Sequence, residues 1–154
     1  GPRTDEIVEI MRRLWTEETV AFDGEFYSFP EVGFEPKPVR AQVPILVGGE
    51  TGPAQRRAAR IGDGWFGMGH TPDQARERVR HLQTLREAAG RGDEPLEITV
   101  QCAVPPTVEN FQRYEEAGVD RVTLSARSFT TRGRSIESAV EGLEEFADTV
   151  LSRL

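Results

Sequence analysis

Four consecutive residues, Gly48, Gly49, Glu50 and Thr51, are where this chain could hold a charged small molecule. They follow the apolar run Pro44-Ile45-Leu46-Val47 and lead into Gly52-Pro53-Ala54, so a buried strand ends in glycines and turns into a helix. Glycine lets the backbone approach a ligand closely and take up positive φ. The first turn of the helix presents unpaired N–H groups at the positive end of its dipole, which favours a phosphate. Thr51 adds a hydroxyl donor. The same pattern also suits a plain βα turn in which Thr51 or Gly52 caps the helix and nothing binds. Its spacing is not the dinucleotide or P-loop fingerprint, and on the residues alone both readings stay open.

The elements that must position this turn are legible from periodicity. Ile7, Ile10, Met11, Leu14 and Trp15 share one face of an opening helix that Thr4 could cap. An irregular insertion rich in Gly, Pro and aromatics, at about residues 20–43, has Pro30, Pro36 and Pro38 to interrupt any long element and room for a short hairpin around Asp23-Gly24. From Pro44 onward, strand and helix signals alternate: strands at 44–49, 64–69, 96–104 and 119–126, with helices between them and one at the end. Thr71-Pro72-Asp73-Gln74 has the form of a capping box. Ala75, Val79, Leu82, Leu85 and Ala89 form the apolar face of the helix it opens, and Gly90 ends it. The last helix carries Ile136, Ala139, Val140, Leu143, Phe146, Ala147, Val150 and Leu151 at helical spacing. Four repeated βα units imply an α/β fold with a parallel sheet, and a full eight-unit barrel needs about 250 residues.

Composition narrows the partners. A net charge of −7 argues against nucleic acid and anionic membrane surfaces, which reward clustered positive charge. Lys37 is the only lysine, and no arginine cluster stands apart from acids. Cys102 is the only cysteine, so no internal disulfide and no cysteine-based zinc site is expected, which fits a reducing cytoplasm. No apolar run approaches the roughly 20 residues needed to span a bilayer.

The order and spacing of several blocks resemble a known family. Trp15-Thr16-Glu17, Phe22-Asp23-Gly24-Glu25-Phe26-Tyr27, Pro36-Lys37-Pro38-Val39, Pro44-Ile45-Leu46-Val47-Gly48-Gly49 and Arg57-Ala58-Ala59-Arg60-Ile61-Gly62-Asp63-Gly64-Trp65 follow one another. Together they look like the C-terminal half of luciferase-like monooxygenases, especially the deazaflavin (F-420) branch. The resemblance runs over essentially the whole chain and is most specific from Pro36 to Trp65. It implies an α/β fold that is half of a TIM (β/α)8 barrel, strands five to eight of a parallel sheet with flanking helices, as a single domain over residues 1–154. It implies a reduced FMN or F-420 cofactor as hydride donor, its phosphate held at Gly48, Gly49, Glu50 and Thr51. Glu50 departs from the family pattern, because a carboxylate beside a phosphate is repulsive unless it points away or meets an arginine.

On that reading, the wall carrying much of the substrate contact and the proton-handling histidine belongs to the other half, and the catalytic residues here are unknown. His70, in Gly67-Met68-Gly69-His70, would lie at the active-site end of its strand; it reads as a solvated loop histidine, with a pocket-facing role as the alternative. His81 reads as surface and Arg127 as a surface loop residue, the alternative for Arg127 being an anion contact. Arg56, Arg57 and Arg60 follow the glycine loop, some of them facing solvent or packing. Cys102 reads as core, and Trp15, Trp65 and Phe66 as packing residues.

Two function classes follow. One is an oxidoreductase, passing a hydride or activating oxygen toward a small organic substrate; the other is a non-catalytic half-barrel remnant. A doubly wound nucleotide-binding sheet is disfavoured, since Phe66-Gly67-Met68 stands where an acidic residue would be needed. A half-barrel leaves two open strand edges and a bare face. The expectation is therefore a homodimer closing an eight-stranded barrel, or pairing with a missing N-terminal half.

Overall fold

In the computed structural model, which describes residues 1–40, 42–129 and 135–154, the chain opens with α1 (Pro2–Thr16) and an antiparallel hairpin of β1 (Thr19–Asp23) and β2 (Ser28–Gly33). Proline is pre-shaped for a first helical turn, so α1 starts at Pro2 and Thr4 lies inside it rather than capping it. The hairpin turns where Asp23-Gly24 predicts. Glu6 of α1 anchors it, its carboxylate accepting the N–H groups of Glu25 (2.7 Å), Phe26 (3.0 Å) and Tyr27 (3.1 Å). Phe22 is buried against Phe29, and Phe26 lies under the Arg3 guanidinium. Lys37 reaches back to the end of α1, where its ammonium donates to the carbonyls of Leu14 and Glu17. A cation there complements the negative end of the helix dipole.

The remaining elements are β3 (Leu46–Gly48), α2 (Gly52–Ile61), β4 (Gly64–His70), α3 (Pro72–Ala88), β5 (Glu97–Cys102), α4 (Val108–Glu116), β6 (Arg121–Thr123) and α5 (Ile136–Thr149). β3 to β6 form one parallel sheet in sequential order. Its register puts Val47, Trp65 and Ile98 side by side, followed by Val100 and Val122 on the same face. That face meets Ala58 of α2, Ala75, Val79 and Leu82 of α3, and Tyr114 of α4, and together they make the core. The helices α2, α3 and α4 therefore share one side of the sheet. Sequential order with one-sided helices is what a segment of a TIM-barrel-like arrangement shows; a doubly wound sheet reverses its order and uses both sides. The opposite face carries Leu46, Phe66, Glu97, Thr99, Gln101, Arg121 and Thr123, so β5 alternates apolar and polar.

Threonine and serine start the helices as their sequences suggest. Thr51, Thr71, Thr107 and Ser135 each accept an N–H from the first turn, and Thr71 with Gln74 completes the capping box. Gly90 and Gly118 have φ of +71° and +83° just past α3 and α4. At the other end of the strands two carboxylates repeat one contact: Asp63 accepts the N–H of Ile45, and Asp120 that of Ile98. Asp63 also takes Arg12 of α1 at 3.0 Å. Each ties the turn before one strand to the start of its neighbour.

Three further expectations need correction. The buried face of α3 includes Arg86 (3% exposed), while Ala89 is exposed. The Arg86 guanidinium donates to the carbonyls of Ala59, Gly62 and Pro95, satisfying the end of α2 and the entry to β5. The last strand is confined to Arg121–Thr123 rather than running to Ala126, and among the described residues no strand pairs with its outer edge. The stripe on α5 is largely uncovered: Ile136, Val140, Leu143 and Leu151 are exposed, and Phe146 alone of its large side chains packs in an aromatic cluster, against Phe111 and Phe129. Among the described residues, no helix is long and apolar enough to cross a membrane.

Replacing Asp63 with alanine removes the acceptor for a part-buried backbone N–H and for Arg12. The expected loss is about 1–3 kcal/mol of stability, read from the urea midpoint at unchanged m-value, whereas Asp23→Ala on the exposed hairpin should cost less.

Candidate functional site

The Gly48–Thr51 turn lies at the C-terminal end of the sheet, the end at which parallel α/β folds present their ligand-contacting loops. Gly48 is exposed, and a Cβ built on it would meet nothing within 4 Å, so the space beside this backbone is open. Gly49 has φ of +126°, the left-handed side that disfavours any other residue, and a Cβ there would come 2.9 Å from the Ala54 Cβ. Thr51 is the N-cap of α2, its hydroxyl accepting the N–H of Ala54 at 3.4 Å while its own proton stays available. The N–H groups of Glu50, Thr51 and Gly52 have no hydrogen-bond acceptor among the described residues.

Glu50 resolves the difficulty its charge raises. Its Oε1 accepts the N–H of Met68 at 2.9 Å, its Oε2 lies 3.0 Å from His70 Nε2, and Arg78 of α3 stands 3.9 Å away. The carboxylate is thus bound over the end of β4 instead of on the turn's own amides. His70 is not the solvated loop residue its neighbours suggest: it closes β4, is 7% exposed, and its ring lies 5.5 Å from that of Trp65. Trp65 is a core residue as expected, with a second task the sequence does not announce. Its indole N–H donates to the Gly49 carbonyl at 2.9 Å.

The arginines divide by role. Arg57 and Arg60 both bind Asp5 of α1. Burial opposes ionisation of that carboxyl, but the two guanidinium groups outweigh it and hold Asp5 below its ordinary range. Arg56 makes no ion pair among the described residues and folds back to within 3.2 Å of where a Gly52 Cβ would stand, beside the amino end of α2. The side chain of Arg127 lies outside the described residues. His81 is exposed, as expected, and Phe66 is half-buried on the face opposite the core.

Behind His70 lies a second polar cluster. The Tyr114 hydroxyl, fully buried, donates to the His70 carbonyl, receives the Ala103 N–H at 3.3 Å and touches Cys102 Sγ at 3.6 Å. Burial, and then the Cys102 thiol, push this phenol up to about 12 from 10.0, against the smaller opposing effects of the Ala103 N–H and Arg113. Cys102 itself is half-buried, donating to the Val104 carbonyl and packing on the core. A cavity of about 750 Å³ lies elsewhere, between α4, β6 and the C-terminal segment, with Phe111, Val122 and Phe146 in its walls. No group of three or more metal-ligating side chains occurs among the described residues.

Residues 1–110 match the family model described as luciferase-like monooxygenase. An uncharacterized protein of Mycobacterium tuberculosis is 38% identical over 157 residues, covering 100% of this chain and 54% of its own length. The FMNH2-dependent dimethylsulfone monooxygenase of Pseudomonas putida is 28% identical over 89 residues, 57% of this chain and 24% of its own. Among solved structures, an F-420-dependent secondary alcohol dehydrogenase in complex with an F-420–acetone adduct superposes with a TM-score of 0.71 at 15% identity, over 96% of this chain and 60% of its own. EDTA monooxygenase from a Chelativorans species superposes at 0.51 and 16%, over 99% and 38%. At such identities the likeness is one of fold. The chain spans about half the length of the curated relatives it matches.

A phenol with a raised pKa stabilises the fold while it stays protonated. The contribution of Tyr114 is full below pH 10 and is lost as pH rises toward 12. Tyrosinate absorbance should therefore appear together with loss of structure in that window, and Tyr114→Phe should remove this part of the alkaline transition.

Proposed function

Because the chain belongs to the luciferase-like monooxygenase family, we propose that it is the cofactor-holding part of a flavin- or F-420-dependent oxidoreductase, with the cofactor phosphate at Gly48, Gly49, Glu50 and Thr51. The observation that carries this reading is the open cradle: unpaired amides at the start of α2, clear space beside Gly48, and the nearby carboxylate bonded elsewhere. These are the features that admit a phosphate dianion and that a plain βα turn does not need. Arg56, the uncommitted arginine, adds a cation at the same helix end. Relatives named for FMNH2 and for F-420 support the cofactor class without choosing between the two.

When bound, a reduced flavin or deazaflavin supplies the hydride, and the protein positions it. Gly48 lets the backbone come close, Thr51 offers its hydroxyl proton, and the amides of Glu50 to Gly52 offer donors. The bare face of the sheet, with Phe66, Gln101 and Thr123, forms the wall beside which a small organic substrate would lie. No side chain here is assigned as a catalytic acid or base, because the nearest imidazole, that of His70, is committed to Glu50. On the same reading β3 to β6 are strands five to eight of the barrel, residues 1–154 form one half-barrel unit, and the protein works in the cytoplasm, which the lone Cys102 suits.

A second reading, a half-barrel without turnover, is favoured by one fact: the nearest imidazole to the turn, that of His70, is held by Glu50. Binding separates the two. FMN or F-420 should bind while riboflavin, which lacks the phosphate, should bind far more weakly. Gly48→Asp should fold, having room for its side chain, yet lose FMN affinity by about tenfold or more through like-charge repulsion. Failure of the wild-type chain to bind either cofactor favours the remnant.

The edges of β3 and β6, unpaired among the described residues, and the exposed stripe on α5 support closure by a complementary half, either a second copy or an N-terminal half. Light scattering should show a dimer at micromolar concentration; a stable monomer overturns the homodimer.

A further inference from the structure

We propose that Trp65 and His70 of β4 are positioning residues that hold the glycine turn in its anion-accepting shape, His70 by keeping the Glu50 carboxylate off the turn's own amides. This rests on the reading of Gly48–Thr51 as the cofactor-phosphate site. The clamp has two points. At the first, the Gly49 peptide unit is pinned to β4 from both sides: its N–H donates to the Phe66 carbonyl at 3.3 Å and its carbonyl accepts the Trp65 indole N–H at 2.9 Å. The indole reaches there by folding under Gly67, where a Cβ would lie 2.1 Å from its ring. Gly67 is thus glycine because the clamp occupies its side-chain space. At the second point, Glu50 is held by the Met68 N–H and by His70 Nε2, with Arg78 beside it.

The alternative position for Glu50 explains why this matters. A carboxylate next to a helix N-terminus is drawn to the first-turn amides and to the positive end of the dipole. Released from β4, Glu50 would occupy the donors that a phosphate needs, an inhibitor built into the chain. His70 and Trp65 prevent this without touching the ligand. The groups around His70 are Glu50 on the turn, Arg78 on α3, Trp65 below its ring, and Tyr114 of α4 on its carbonyl with Cys102 of β5 behind.

Two measurements on the full chain test the clamp. FMN affinity is compared in wild type, His70→Leu, His70→Gln, Glu50→Ala and the Glu50→Ala/His70→Leu double variant. His70→Leu should weaken FMN by about tenfold, as expected when a charged hydrogen-bonded pair loses its donor. His70→Gln, which keeps an N–H, should recover part of this, and His70→Leu should have no further effect once Glu50 is alanine. An equal loss in the Glu50→Ala background would mean that His70 acts only through general packing, and would overturn the proposal. The second measurement needs no cofactor. Hydrogen exchange should protect the Met68 N–H, held by Glu50, and the Trp65 indole N–H, held by Gly49. His70→Leu should speed exchange at Met68 about as much as Glu50→Ala does. If wild type binds no FMN but this protection and its loss appear, the cofactor reading fails and the clamp stands as a structural contact. If Met68 exchanges alike in wild type and both variants, the clamp itself is wrong.

Discussion

The handedness of parallel crossovers is the constraint on which the rest of this structure depends. Strand, helix and next strand must wind the same way each time, so consecutive units in sequential order place every helix on one side. One face of the sheet then takes the helices and the other does not. The packed face gathers Val47, Trp65, Ile98, Val100 and Val122 under α2 to α4; the other face keeps Glu97, Thr99, Gln101, Arg121 and Thr123. The same winding brings the ends of β3 and β4 and the turns that follow them to one rim. There the glycine turn, Glu50 and His70 meet although 20 residues separate the last two in sequence.

Most of the frame was legible because it is local. Periodicity located all four parallel strands and the helices between them, and turn and cap residues located the hairpin at Asp23-Gly24 and the capping box at Thr71. What was not legible is what depends on neighbours distant in sequence. Arg86 looks like one more charge on a polar helix, and only the carbonyls that α2 and β5 present to it turn it into a buried cap. Asp63 and Asp120 look like turn residues; their repeated contact with the start of the preceding strand appears only once the sheet is assembled. α5 shows the reverse error. A clean apolar stripe predicts burial, yet Ile136, Val140 and Leu143 stay exposed, and of its large side chains Phe146 alone joins an aromatic cluster.

The candidate site was half visible. The glycine turn and its helix start could be read directly, and the odd carboxylate in it could be recognised as a problem. The solution could not be read, because the residues that supply it sit in a different unit. Two signals were present. A tryptophan two residues before a glycine in a buried strand asks what fills the missing side chain, and a histidine ending such a strand asks what it pairs with. Loop chemistry in α/β folds is often decided by the strand next door, which is why reading turns one at a time falls short.

The contact of Lys37 with the end of α1 has a practical side. As this chain carries a single lysine, amine-directed chemistry on its side chains has one address. That amine is engaged with the carbonyls of Leu14 and Glu17. Acylating it removes the charge and leaves the last turn of α1 uncapped, so the degree of labelling becomes a direct gauge of how firmly the opening helix is held to the segment that follows the hairpin.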